Sequence, residues 1–347
     1  MPRRKGRGVP TRRAIEAELR AAVARVPPGR WLLAVSGGRD SIVLLDAFAR
    51  WRDDVVGVAT FDHGTGEAAT RAATHVAREA MTRGLPVVSG AAASTVTAAS
   101  ARGTAAGAAR AVRSEASLRA ARWEFLNAWA FELNARVVTA HTREDQAETV
   151  FMRILRDAGA RGLAGMRAAS PVLRPLLGIA RATVASYAAG RQLAWVEDPS
   201  NASLAYFRNR VRHELLPAFE RAHRGHTNWL LDLSNRAGTL REQVAGLVDE
   251  LLVDAGPDNP SGRGAGEPVI IPAATLLAFD SVGLEVLWPE ITSRAGVTLD
   301  WRGLERLVRE TPKLKAGSEV PLSGGASVVR TVTTFVVRNP ATAPPLY

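Results

Sequence analysis

Residues 31–51, WLLAVSGGRDSIVLLDAFARW, restrict the possible folds more than any other stretch of the chain. The apolar run Trp31 to Val35 reads as a short buried strand, and Ile42, Val43, Leu45 and Ala49 then recur at helical spacing. Between them stand only Ser36, Gly37, Gly38, Arg39, Asp40 and Ser41, so a strand must pass almost directly into a helix. The first amides of such a helix have no intrahelical acceptor and its dipole is positive there, which makes the turn a site for an anion. Gly37 and Gly38 let the backbone come close to a phosphate, Ser36 and Ser41 offer hydroxyls, and Asp40 is suited to a magnesium ion or a water. The turn lacks the Lys of GxxxxGK[ST] and the third Gly of GxGxxG, so it is neither a Walker loop nor a dinucleotide fingerprint.

The same alternation continues downstream. DVVGVATFDHG (54–64) is a second strand ending in a polar turn, AATRAATHVAREAMTRG (68–84) a helix closed by Gly84, and LPVVSG (85–90) a third strand. SEASLRAARWEFLNAWAFELN (114–134) is a strong helix and ARVVTAH (135–141) a strand. The pattern predicts an α/β fold, a parallel sheet covered by helices that binds its ligand at the carboxyl ends of the strands. The turns SGGRDS, FDHG, AHTRED and the start of VLRPLL then share one edge of one sheet.

Before this domain lies a basic arm, residues 1–13, followed by a helix from about Arg13 to Arg25. The low-complexity, Ala-rich stretch near 91–112 reads as an insertion. Beyond Pro217 the pattern changes: an amphipathic helical region (226–256), a Gly/Pro loop, the strand-like VIIP, helices around 274–289 and 299–310, and a hairpin over 319–338. The expected organisation is a nucleotide-binding domain over 14–220 and a smaller α+β domain over 221–347.

Charge and composition then narrow the chemistry. Lys and Arg total 45 against 34 acids, a net charge of +11, and Lys occurs only at positions 5, 313 and 315. Arg forks grip phosphate, although a solvated Arg-rich surface gives the same balance. The chain has no cysteine, which removes disulfides, thiolate zinc sites, persulfide chemistry and Cys nucleophiles together. No histidine shows zinc-ligand spacing. The absence of a long uncharged apolar run, and a basic start with no apolar segment after it, lead us to expect a cytoplasmic protein with no membrane partner.

The turn SGGRDS resembles the pyrophosphate-binding loop of the N-type ATP pyrophosphatases, with their adenine nucleotide α-hydrolase-like fold. Four further segments resemble one branch of them, the tRNA(Ile)-lysidine synthases. They are AHTREDQAETVFMRILRDAGARGLAGM (140–166), VLRPLL (172–177), EDPSNASLAYFRNRVRHELLP (197–217) and EASLRAARWEFL (115–126). The resemblance covers roughly residues 30–220. It implies ATP-dependent ligation of free lysine to the wobble cytidine of the CAU anticodon of tRNA(Ile), through an adenylated cytidine, with release of AMP and pyrophosphate. The implied cofactors are ATP as substrate and Mg2+ held at Asp40; the partners are tRNA(Ile), bound in part by residues 221–347, and lysine, and a homodimer is compatible with it. Ser36, Gly37, Gly38, Arg39, Asp40, Ser41, Asp62 and His63 would bind the nucleotide, and Asp40, His141, Asp145 and Glu148 would be catalytic.

Residue by residue, a plainer role stands beside each of these. Asp145 and Glu148, at i and i+3, share one helix face; they would bind lysine, or simply complement the helix dipole. His63 and His141 follow strands, as hydrogen-bonded turn residues or as polar site groups. Arg119 and Arg122 contact phosphate or form a solvated helix face, and Arg208 and Arg212 contact RNA, close the site, or are solvated. After Asp62-His63-Gly64 the branch usually carries Leu-Arg, where this chain has Thr65-Gly66.

Overall fold

The computed structural model describes residues 11–64, 66–92, 115–168, 170–252 and 268–340. The arm expected at 1–13 lies up to residue 10 outside the described residues, as do residues 93–114 of the Ala-rich stretch and its flank. The chain divides into two compact units, Met1–Asn235 and Arg236–Tyr347.

In the first unit, α1 (Arg12–Ala24) leads to β1 (Trp31–Ala34), α2 (Arg39–Trp51), β2 (Val55–Asp62), α3 (Glu67–Thr82), β3 (Val87–Ala91), α4 (Glu115–Glu132) and β4 (Arg136–Val138). The strands form one parallel sheet in the order β3-β2-β1-β4. Leu33, Val35, Val58 and Val138 pack on one face against Leu19 and Val23 of α1, Ile42, Leu45 and Phe48 of α2, and Val76 of α3. On the other face Leu32, Ala59 and Val137 meet Leu126, Trp123 and Trp129 of α4. Apolar side chains on both faces of β1 explain its uninterrupted apolar sequence. The start of VLRPLL extends the edge, because Leu173 bridges Val138 in parallel.

The unit continues with α5 (Arg143–Ile154), α6 (Ala160–Leu163), α7 (Arg181–Gly190), α8 (Phe207–Arg210), a π turn (Val211–Leu215), α9 (Leu216–Ala222) and the start of α10 (His226–Leu251). Leu230 and Leu231 of α10 pack with Ala147, Val150 and Phe151 of α5 and with Val211. The Gln146 amide donates to the Ser234 hydroxyl and to the Ala164 carbonyl. These contacts carry the first unit past residue 220, where the sequence pattern alone places the boundary.

The second unit is an antiparallel sheet packed with helices, beginning with the rest of α10, whose Val248 is buried in its core. β5 (Val269–Pro272), α11 (Ala273–Leu277), α12 (Ser281–Arg294), α13 (Trp301–Glu310), β6 (Glu319–Pro321), β7 (Ser327–Arg330) and β8 (Thr334–Arg338) follow in order, and the strands lie β5-β8-β7-β6. Two expectations are corrected. The helix at 274–289 is two helices, since the Asp280 side chain accepts from Gly283 N–H and starts α12 afresh. The hairpin over 319–338 is three strands, because Gly324 and Gly325, at φ 72° and 79°, turn the chain between β6 and β7. Trp288, Phe335, Ile271 and Val328 are fully buried at its centre. Among the described residues, no helix is long and apolar enough to cross a membrane.

Candidate active site

The loop between β1 and α2 is tied down from three sides. Val35 N–H donates to Ala59 O, Ile42 N–H to Gly38 O, and Val196 N–H to Gly37 O. Gly37 has φ 84°, and a Cβ there would lie 2.9 Å from the Ala72 side chain of α3, so only glycine fits. The Ser41 hydroxyl donates to Gly38 O (2.8 Å) and accepts from Ser36 N–H (3.2 Å). Pinned in this way, the first-turn amides of α2 face the strand ends with no intrahelical acceptor.

Beside the loop opens a small cleft of about 170 Å3. Its apolar wall is Ala34, Ala59, Phe61 and Leu126, and its polar wall includes Ser36, Ser41, His63, Arg122, His141 and Asp145. Two polar atoms on the wall, His63 Nδ1 and Arg122 Nε, are buried with no hydrogen-bond partner among the described residues. Such atoms are costly to bury without a ligand. Burial, assisted by Arg122, lowers the His63 pKa from its usual value; burial and the charge of Arg119 lower that of Arg122. Arg119 itself, one turn earlier on α4, is exposed and does not line the cleft.

Asp40 sits in the first turn of α2 with Arg39 Nε 3.0 Å from its carboxylate and Arg181 Nε at 3.9 Å. Burial raises its pKa despite these two cations. Asp62 serves its own turn, accepting from Gly64 N–H and from the Thr70 hydroxyl, each at 2.8 Å.

Of the α5 carboxylates, Asp145 lines the cleft and Glu148 is buried. Asp145 Oδ2 accepts from the Thr142 amide and hydroxyl, both at 2.8 Å, which caps the helix. Its Oδ1 accepts from Arg181 (2.9 Å), Arg208 (3.3 Å) and Arg212 (2.9 Å). Glu148, 1% exposed, accepts from the same three guanidiniums at 2.6–3.1 Å. Burial would raise the Asp145 pKa, but Arg181, Arg208 and the Thr142 hydrogen bonds hold it below the ordinary value. The two acids are thus covered by three cations of the chain itself. Arg208 and Arg212, at i and i+4, share one face of the α8–α9 segment.

His141, at the end of β4, has Nδ1 2.9 Å from the Thr139 hydroxyl. Burial, with Arg208, Arg174 and Arg122 acting the same way and Asp145 opposing, lowers its pKa to about 4. It is therefore neutral at ordinary pH and works as a hydrogen-bonding group. Sequence reasoning missed Arg181, which touches Asp40, Asp145 and Glu148 together. Its only signal was a lone Arg opening a helix.

The pattern of the PP-loop domain matches residues 11–219. The chain belongs to the PP-loop domain family. The tRNA(Ile)-lysidine synthase of Salinispora tropica is 40% identical over 220 residues, which covers 60% of this chain and 62% of that protein. Its counterpart in Parasynechococcus marenigrum is 34% identical over 224 residues, 61% of this chain and 62% of that one. The chain therefore spans less than two thirds of the length of these curated relatives. A U34-tRNA thiolase from Methanococcus maripaludis shares the fold, with a TM-score of 0.52 at 16% identity over 65% of this chain and 79% of that chain.

Proposed function

We propose that this PP-loop protein uses ATP to adenylate the wobble cytidine of a tRNA(Ile) with a CAU anticodon and then joins free lysine to it. The cytidine carbonyl oxygen attacks the α-phosphate and pyrophosphate leaves; the lysine side-chain amine then attacks the same carbon and AMP leaves with the oxygen. The observation that carries the reading is that Asp145 lines the same cleft as Ser36 and Ser41 of the loop, while Arg181 joins the loop residue Asp40 to both Asp145 and the buried Glu148. The similarity to tRNA(Ile)-lysidine synthases supports a tRNA substrate, and lysine is our reading of that name.

The loop 36–41 would take the phosphates on the α2 amides, and the slot of Ala34, Ala59, Phe61 and Leu126 would take the adenine. His63 Nδ1 and Arg122 Nε, buried without partners among the described residues, would bond the nucleotide. Asp40 is the residue suited to Mg2+, since burial already disfavours its charge and a cation would relieve that cost. When bound, the ion would neutralise phosphate charge.

Lysine binding follows from the arginine cluster. Three guanidiniums over two carboxylates leave one positive charge in excess, and Arg208 and Arg212 are about a quarter exposed. Turning one guanidinium toward a phosphate and admitting an ammonium in its place keeps the carboxylates paired throughout, as burial demands. The second unit, which contains Lys313 and Lys315, would hold the tRNA through its phosphates. Incubating the protein with ATP, labelled lysine and bulk tRNA should yield a lysine-bearing cytidine and one pyrophosphate per lysine. Pyrophosphate release that ignores tRNA would overturn the reading.

A further inference from the structure

Away from the cleft, four rings form a row that runs from a buried end to an exposed one. Phe151 of α5, 4% exposed, meets Phe219 of α9 edge-on at 5.2 Å. Phe219 stacks on His226 at 4.8 Å and 27°, and His226 faces Trp229 at 5.2 Å and 35°. Phe219 is 43% exposed and Trp229 52%. Rings laid nearly face to face and left half in water hide little apolar area; they present a π surface.

The surroundings are cationic. Residues 207–229 hold five Arg and three His against two Glu. Glu220 is spent internally, its carboxylate accepting from Gly225 N–H, Thr227 N–H and the Thr227 hydroxyl. Arg221 and Arg224 are exposed beside the rings. The row also begins close to the chemistry, since Phe151 is three residues beyond Glu148 on α5, about 4.5 Å along the helix axis.

We infer that Phe219, His226 and Trp229 form a stacking platform for an unpaired base of the bound RNA, with Arg221 and Arg224 on its phosphates. Every base has a π face, so such a platform tolerates any sequence and discriminates single strands from duplex. That the base belongs to the anticodon loop, flanking the modified nucleotide, rests on the proposed function. A protein partner fits less well, because the patch is a flat ring stack set among cations rather than an apolar groove.

The test compares two RNAs on the full chain: a stem with the CAU anticodon loop, and the same stem with abasic loop sugars. Trp229→Ala should weaken binding of the intact loop by about five- to a hundredfold, the range of one lost base stack. Trp229→Phe should restore most of it, and neither variant should differ from the parent on the abasic loop. Equal losses on both RNAs, or no loss on either, overturn the platform. So does a change in the sedimentation of the Ala variant without RNA, which would mark a self-association surface. If the parent chain fails to transfer lysine while the loop-dependent effect of Trp229 persists, the proposed reaction falls and the platform stands.

Discussion

Glu148 accepts four hydrogen bonds from three guanidiniums and takes no part in the cap of its helix, which belongs to Asp145. Replacing it separates lysine binding from helix stability more cleanly than replacing Asp145. Glu148→Gln should raise the lysine KM about tenfold or more, the worth of one lost charge-assisted contact, while tRNA-dependent pyrophosphate release continues. An unchanged lysine KM with only a lower melting temperature would reduce the pair to a structural role. Asp40→Asn should suppress pyrophosphate release and leave tRNA affinity within about twofold, because the basic surface that meets phosphate is untouched. Undiminished turnover in that variant would remove Asp40 from the site. His141 has the opposite kind of signature. Its pKa falls from 6.5 free to about 4 folded, so between those values the unfolded chain binds more protons. Its contribution to stability is therefore present above pH 6.5 and lost as the pH falls toward 4, by at most about 1.4 kcal/mol per unit. His63, shifted the same way, adds to this loss. A melting series should show a shallower decline for His141→Asn than for the parent over that window; parallel curves would mean that His141 is not buried neutral.

The short elements around the sheet edge act by holding one another. Gly37 lies where α3, the β1–α2 turn and residues 194–196 converge: Ala72 fills the space beside it, Val196 N–H bonds its carbonyl, and His75 of α3 bonds Ala194 O at 2.8 Å. Gly37→Ala must move helix α3 and adopt a left-handed backbone, a combined cost of about 2–4 kcal/mol. The expected result is loss of nucleotide binding by calorimetry in a chain that still folds at lower temperature; normal ATP affinity would show that the turn is not the phosphate site. The strand and helix at 31–51 were legible because both apolar faces of β1 are buried and α2 repeats every turn. The two breaks that periodicity ran across, at Asp280 and at Gly324-Gly325, were not, since an N-cap and a pair of left-handed glycines leave the apolar pattern on either side intact.

At the scale of the whole chain, the excess of 45 Lys and Arg over 34 acids acts at long range, and tRNA affinity should fall steeply between 50 and 200 mM salt, by about 10³-fold or more if six or more phosphates are met. A flat profile by filter binding would return the charge to an ordinary solvated surface. The sequence by itself determined the parallel α/β unit, its strand-to-helix turn at 36–41 and its membership of the PP-loop domain family, because each rests on local periodicity and on residues adjacent in the chain. It also put Asp145 and Glu148 on one helix face, since i and i+3 must share one. Only the tertiary structure decided what faces them. Arg181, Arg208 and Arg212 come from 33 to 67 residues away to cover the two carboxylates, and Leu230 and Leu231 return to α5 and carry the first unit beyond its sequence boundary. Such pairings depend on how helices pack, and a charge separated from its partner by dozens of residues leaves no periodic trace in the chain.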